Sequence, residues 1–190
     1  MKYMNRFETY SRIGGDDRFK WIAESSLTEF DKLNPKVQKA REELSVFLSS
    51  CDDPENPPAD YHMKYMELDP IEEARDQSCI IAVVFTAMYF EAFIYDYAAS
   101  CVGDRYTKNH LDKLDFISKW VVVPRLVTGN EISKSGRAYE SLKKLHKDRN
   151  SLVHLKSKKM NFNDSEMVAY LEDRENEIQD SVKNLSLIHI

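Results

Sequence analysis

The sequence of 190 residues has little glycine, proline or cysteine, and each shortage argues against a class of protein. Five glycines and six prolines, beside segments rich in Leu, Glu, Lys and Ala, are too few for the turns of a β-sandwich or barrel. The three cysteines form no Cys-x-x-Cys pair, which argues against structural zinc, and their odd number favours reduced thiols, with Cys79 and Cys101 buried in one helix. No glycine-rich phosphate loop is present, which argues against nucleotide hydrolysis. We therefore expect no metal and no cofactor.

Export and membrane signals are also missing from the sequence. The first 17 residues carry charges throughout and have no apolar core, unlike a signal peptide. The apolar run 79–90 has only 12 residues, whereas a membrane-spanning helix needs about 20. We therefore predict a cytoplasmic protein without a membrane partner.

Hydrophobic periodicity predicts a chain of helices. Segments 16–33, 35–48, 69–100, 137–159 and a last one from 163 or 164 show the helical period. Asn34-Pro35 is expected to break the chain between the first two, and residues 51–68, with three prolines, are expected to form a surface loop. Asp69-Pro70 is a strong helix start and Gly103 a stop signal. We predict an all-α protein, with residues 1–68 as a helical extension and Pro-rich loop packed on a helical bundle of residues 69–190.

Residues 103–136 are expected to connect the two central helices. A short helical piece is predicted near 111–117, and Pro124 should end or kink whatever precedes it. The valines at 121–123 resemble a strand, but a single run without a pairing partner cannot make a sheet. We therefore interpret this run as a connector packed against the bundle.

Arg149 is the most unusual residue of the predicted motif helix. Its position places it between Leu145 and Leu152, near the middle of the apolar stripe that should face the core. A guanidinium cannot lose its proton, so it needs a carboxylate, a dimer partner or an anionic ligand there. Asn150 and His154 lie four residues apart on the edge of the same stripe.

Glu91 is a single acid within the apolar centre of the preceding long helix. A carboxylate in that setting needs a cation. Arg149 is a cation that is also predicted on a buried face, so we expect the two to meet. The alternative is that Glu91 reaches solvent at the edge of the bundle.

The phrase Arg149-Asn150-x-x-x-His154 resembles the signature of the HEPN family (higher eukaryotes and prokaryotes nucleotide-binding domains). The acid that interrupts the apolar run around Glu91 resembles the second-helix signature of the same family, and the resemblance covers roughly residues 70–185. It implies an up-and-down four-helix bundle, here with additional N-terminal helices. Many members are metal-independent ribonucleases that use the ribose 2′-hydroxyl as nucleophile, and some are toxins or phage-defence effectors.

The charge distribution is compatible with an RNA partner. The formal net charge is −5, yet residues 134–159 hold nine Lys and Arg against two acids. The lysines that we expect to bind RNA are Lys143, Lys144, Lys147, Lys156, Lys158 and Lys159. The alternative is a solvated lysine face.

On this interpretation His154 moves protons, Arg149 stabilises charge on the phosphate, Asn150 orients the phosphate or the imidazole, and Glu91 completes the catalytic set. One histidine per chain favours a two-fold homodimer, as in the family. Lys156 stands where one subgroup has a tyrosine modified by a partner enzyme, so such a silencing partner is not expected, whereas another antitoxin or sensor protein is a candidate.

Two other functions are compatible with the sequence. The chain can be a non-catalytic HEPN-like module that binds a nucleotide or another protein through the same pocket. Alternatively, Arg149 and Glu91 form a purely structural ion pair and His154 is an ordinary edge histidine.

Overall fold

The computed structural model describes residues 16–53, 56–153 and 164–188, and every regular element in those ranges is helical. The prediction of an all-α chain is therefore confirmed. The helices are α1 (Asp16–Ser49), α2 (Ala59–Val102), α3 (Asp104–Tyr106), a π-helical turn (Thr107–Leu111), α4 (Phe116–Thr128), α5 (Arg137–Val153) and α6 (Asp164–Ile188).

Helix α2 lies at the centre and contacts α1, α4, α5 and α6. Small side chains at Ala82 and Ala87 allow its neighbours to pack closely around Cys79 and Val83. The buried residues that the other helices place against this segment are Phe30, Phe116, Leu142, Leu145, Ile178, Val182 and Leu185. The apolar centre of α2 is thus the core of the protein, as its uniformly apolar composition predicts.

Helix α1 is continuous, so the predicted break at Asn34-Pro35 is wrong. A proline inside a helix removes one backbone hydrogen bond and costs about 3 kcal/mol. Here Phe30 and Val37, on either side of Pro35, are both buried and hold the two halves of α1 on α2. Burial of these side chains offsets the local cost of the proline.

Helix α2 begins at Ala59, ten residues before the predicted start at Asp69. The predicted loop is therefore wrong for residues 59–68, and α2 continues through both Pro70 and the proposed boundary between 68 and 69. The early start is explained by Leu68, which is buried with Val37 and Leu44 of α1. The predicted end is confirmed, because Gly103 follows the last residue with φ 90°.

Residues 116–128 form helix α4, which corrects the interpretation of the valine run as a connector. Asp115 caps its start by accepting a hydrogen bond from the Ser118 backbone N–H at 3.0 Å. Pro124 lies inside the helix, which continues because Phe116, Lys119 and Val123 face inward.

A buried ion cluster joins α6 to α1 and α2. Arg75 of α2 is 0% exposed, and its Nη1 and Nη2 donate to Glu175 Oε1 and Oε2 of α6 at 3.0 and 2.8 Å. The same guanidinium donates to Asp76 Oδ1, and Arg41 Nη1 of α1 lies 2.8 Å from Glu175 Oε2. Burial alone raises the pKa of Glu175, but hydrogen bonds from Gln179 and Arg75 and the nearby arginines lower it below its ordinary value. Glu175 is therefore held ionised at the contact of three helices.

The thiols behave only partly as predicted. All three cysteines are free, and Cys79 and Cys101 share α2, but Cys101 is exposed rather than buried. Burial raises the pKa of Cys79 to about 12.

By length and composition, one described helix is apolar enough to cross a membrane, namely α2, with a mean hydropathy of 1.8 over 18 residues. The core helix of a soluble protein has the same composition, and α2 packs against four other helices. The cytoplasmic location and the lack of a membrane partner therefore stay predictions.

Candidate functional site

The inward face of α5 differs from the prediction at Arg149. Its inward positions are Ser141, Leu142, Leu145 and Asp148, whereas Arg149 is half-buried at the edge. Asp148 and Arg149 lie three and four residues after Leu145, on either side of the stripe, and Asp148 is the one that is buried. Sequence reasoning placed Arg149 in the middle of the stripe, and that placement is wrong.

Three polar side chains meet at this edge of α5. Arg149 Nη1 donates to Asn150 Oδ1 at 2.9 Å, and Asn150 Nδ2 lies 3.1 Å from His146 Nε2. Asn150 thus connects the guanidinium to the imidazole. One turn of helix separates His146 from Asn150, so the backbone itself brings them together.

The hydrogen bonds of Asn150 are compatible with one tautomer of His146. Since Asn150 Oδ1 accepts from Arg149, its Nδ2 group is the one that faces the imidazole, and it donates to Nε2. In the tautomer that accepts this bond at Nε2, the imidazole proton is on Nδ1. A neutral histidine is the form that can accept a proton from a hydroxyl.

Phe116 at the start of α4 fixes the plane of the His146 ring. The two rings are stacked, with centroids 5.5 Å apart and planes 3° from parallel. Phe116 is itself buried in the core, so the imidazole rests on a rigid surface. The orientation of His146 is therefore set by two contacts, one from α4 and one from Asn150.

His146 did not emerge from the sequence interpretation, which selected His154. The available signal was its spacing of four residues before Asn150, which places both on one face of a helix. His154, Lys156, Lys158 and Lys159 lie outside the described residues, so their assigned roles stay predictions.

Glu91 does not meet Arg149 in the described structure. Its side chain is 52% exposed, and its Oε1 accepts from Lys119 Nζ of α4 at 2.8 Å. Lys119 is almost fully buried, and its Nζ also lies 3.7 Å from Asp112 Oδ1. The inference of a buried Glu91–Arg149 pair is thus wrong, because the cation beside Glu91 comes from a helix that the sequence interpretation had not recognised.

Of the lysines predicted to bind RNA, Lys143, Lys144 and Lys147 are described. Lys143 pairs with Glu140 at 3.4 Å, and Lys144 pairs with Asp148 at 3.1 Å. Lys147 is exposed and has no ion pair with another described residue. Lys147 and Arg149 are therefore cations of this segment that have no ion pair with a described residue. An anion can bind them without breaking such a pair.

Asp148 is the buried acid of α5. Burial is the largest effect on its carboxyl group and raises its pKa, although the hydrogen bond from Lys144 and the charges of Lys144 and Lys147 act in the opposite direction. Its side chain faces the core and not the edge that holds Asn150, so it belongs to the packing of α5.

The edge of α5 therefore presents an imidazole that can accept a proton, an amide that contacts it and a guanidinium suited to a phosphate. Within residues 16–53, 56–153 and 164–188, no group of three His, Cys, Asp or Glu side chains is arranged to hold a metal ion. No protein-family model matches the chain, and no curated protein or solved structure matches it either.

Proposed function

We propose that the chain is a metal-independent endoribonuclease of HEPN type that acts as a toxin or defence effector. The observation that supports this proposal is the hydrogen-bonded set of Arg149, Asn150 and His146 on one edge of α5. In this proposal α2, α4, α5 and α6 correspond to the four-helix bundle of the family, and α1 is the additional N-terminal helix.

The chemistry is a transesterification at one phosphate of RNA. The 2′-oxygen forms a bond to phosphorus, the bond from phosphorus to the 5′-oxygen breaks, and the products are a 2′,3′-cyclic phosphate and a 5′-hydroxyl. His146 accepts the 2′-hydroxyl proton, for which the ribose hydroxyl replaces the Asn150 amide at Nε2. Arg149 stabilises the charge that develops on the phosphate oxygens.

A second proton-transfer group is needed for the 5′-oxygen, and His154 is the predicted donor. With His146 and His154 together, one chain carries both groups that the sequence interpretation had divided between two subunits. RNA as substrate, the homodimer, and an antitoxin or sensor as regulator remain parts of this proposal.

The test is cleavage of a fluorescent single-stranded RNA by the purified protein in EDTA, with analysis of the product ends. We expect cleavage that persists in EDTA and leaves 2′,3′-cyclic phosphate. His146→Gln and Arg149→Gln should each lower the rate about 100-fold or more, because proton transfer and charge stabilisation are lost separately. Circular dichroism melting of both variants verifies that the helices remain folded.

The matched control is His110→Gln. His110 is exposed and contacts the Tyr106 ring at 4.8 Å between centroids, far along the chain from α5, so its replacement should leave the rate unchanged. RNA binding without cleavage by the wild-type protein would refute the ribonuclease and support the non-catalytic binding module. Cleavage that needs added Mg²⁺ or leaves 3′-hydroxyl ends would also refute it.

A further inference from the structure

A cavity lies near the first turns of α5. This cavity of about 460 Å³ is bordered by Phe90 of α2, Trp120 of α4, Ile132 of the loop before α5, and Leu187 of α6. The first two turns of α5 complete it with Arg137, Ala138, Ser141 and Leu142. Cavities of roughly 300–1,000 Å³ with mostly apolar walls and a few polar groups are the usual form of small-molecule sites.

Two of the groups around this cavity have unused hydrogen-bonding capacity. Trp120 Nε1 is buried and has no hydrogen-bond partner among the described atoms. A buried N–H without an acceptor is destabilising, so an acceptor supplied by a ligand would stabilise the site. Trp120 itself is fixed by ring contacts with Phe90 and Phe93, at 5.7 and 6.1 Å between centroids.

The second unused group is the Arg137 guanidinium. Glu140 pairs with Lys143 and Glu131 pairs with Arg125, so the nearby acids are engaged elsewhere, and Arg137 has no ion pair in the described part of the chain. Arg137 is also the first residue of α5, where the helix dipole favours an anion. The polar end of the cavity is therefore suited to a negative charge.

We propose that this cavity binds a small amphipathic carboxylate, with an aromatic or branched aliphatic body among Phe90, Ile132, Leu142 and Leu187. The carboxylate pairs with Arg137, and one of its oxygens accepts from Trp120 Nε1 after a small shift of the side chains that cover this atom. Arg137 lies nine residues before His146, which is about 13 Å along the helix, so the site is separate from the proposed catalytic edge.

The test uses Trp120 as its own reporter. The chain has two tryptophans, and Trp21 is 67% exposed, so Trp21→Phe leaves Trp120 as the single source of tryptophan emission. In this background 4-phenylbutyrate is titrated by Trp120 fluorescence and by calorimetry, beside its neutral amide, 4-phenylbutyramide. We expect saturable binding of the carboxylate at 1:1 stoichiometry, and binding of the amide about tenfold weaker.

Two variants decide whether the cavity is responsible. Arg137→Gln should weaken binding of the carboxylate about tenfold and leave binding of the amide unchanged, whereas Ala138→Phe should block both by filling the cavity. Lys113→Gln, which removes an exposed charge outside the cavity, should change neither. Absence of carboxylate binding, equal affinity for acid and amide, or binding that survives Ala138→Phe would each overturn the proposal.

Discussion

The charge of Glu175 should be needed to hold α6 on the other helices, and Glu175→Gln tests this with little change in shape. Glu175 receives a two-pronged hydrogen bond from Arg75 at 3.0 and 2.8 Å and a further contact from Arg41 at 2.8 Å. The variant keeps an oxygen acceptor but leaves the buried Arg75 with Asp76 at 2.8 Å and Glu72 at 3.8 Å as its carboxylate partners.

Removal of one partner of a buried ion pair costs about 3–5 kcal/mol. The Glu175 side chain is 18% exposed and Arg75 retains Asp76, so the lower end applies, about 3 kcal/mol. At roughly 2–4 °C per kcal/mol for a chain of this size, Tm should fall by about 6–12 °C. Urea unfolding monitored at 222 nm provides the free energy of unfolding, and circular dichroism melting provides Tm.

The pH dependence has a definite sign. The folded pKa of Glu175 is lowered, so its contribution is complete above the unfolded value of about 4.3 and is lost as the pH falls through the folded pKa. Wild type should therefore lose more stability than Glu175→Gln below about pH 4.3. Glu29→Gln is the control, because Glu29 pairs with Lys32 on an exposed face, where such pairs contribute about 0–1 kcal/mol. Equal costs for the two variants would refute the reasoning.

Three further predictions follow from other contacts. The free energy of unfolding of wild type should fall as the pH rises from the ordinary aspartate pKa to the raised folded pKa of Asp148, and Asp148→Asn should flatten this fall. An unchanged pH profile would contradict the burial of this charge. Double-mutant cycles should show coupling of about 1 kcal/mol or less between Glu91 and Lys119, and additive effects for Glu91 and Arg149. Coupling between Glu91 and Arg149 would show that these two residues do meet. At pH 8, a maleimide should modify the exposed Cys101 readily and Cys79 only after denaturation, because a pKa of about 12 leaves Cys79 with about one thiolate in ten thousand. Mass spectrometry of the intact protein measures the labelling, and fast labelling of Cys79 would show that it is accessible.

The sequence by itself determined most of the helical content and the stop signal of the central helix. Apolar residues at helical spacing and the scarcity of glycine depend only on the chain, and they correctly indicate α5, α6 and the end of α2 at Gly103. They also indicate the apolar centre of α2 as the core, because a helix that is apolar on all sides is stable in water only when other helices enclose it.

The prolines show what local signals could not decide. Pro35 and Pro70 each predict a helix boundary and Pro124 predicts the end or a kink of a helix, yet each lies inside a helix. The cost of a proline is local, whereas the burial that offsets it comes from contacts between separate helices, as between Leu68 of α2 and Val37 of α1.

At the candidate site, too, the sequence determined some features and tertiary packing decided the others. Sequence spacing predicted Asn150 at the edge of the apolar stripe, where it lies, whereas Arg149 was predicted in the middle of the stripe and lies at the edge beside Asn150. The rotation of α5 and the partner of Glu91 were decided by tertiary packing, since Asp148 took the inward position and Lys119 came from α4. The stacking of Phe116 on the ring of His146, thirty residues later in the chain, was also decided by tertiary packing, because a contact over such a separation leaves no periodic signal in the sequence.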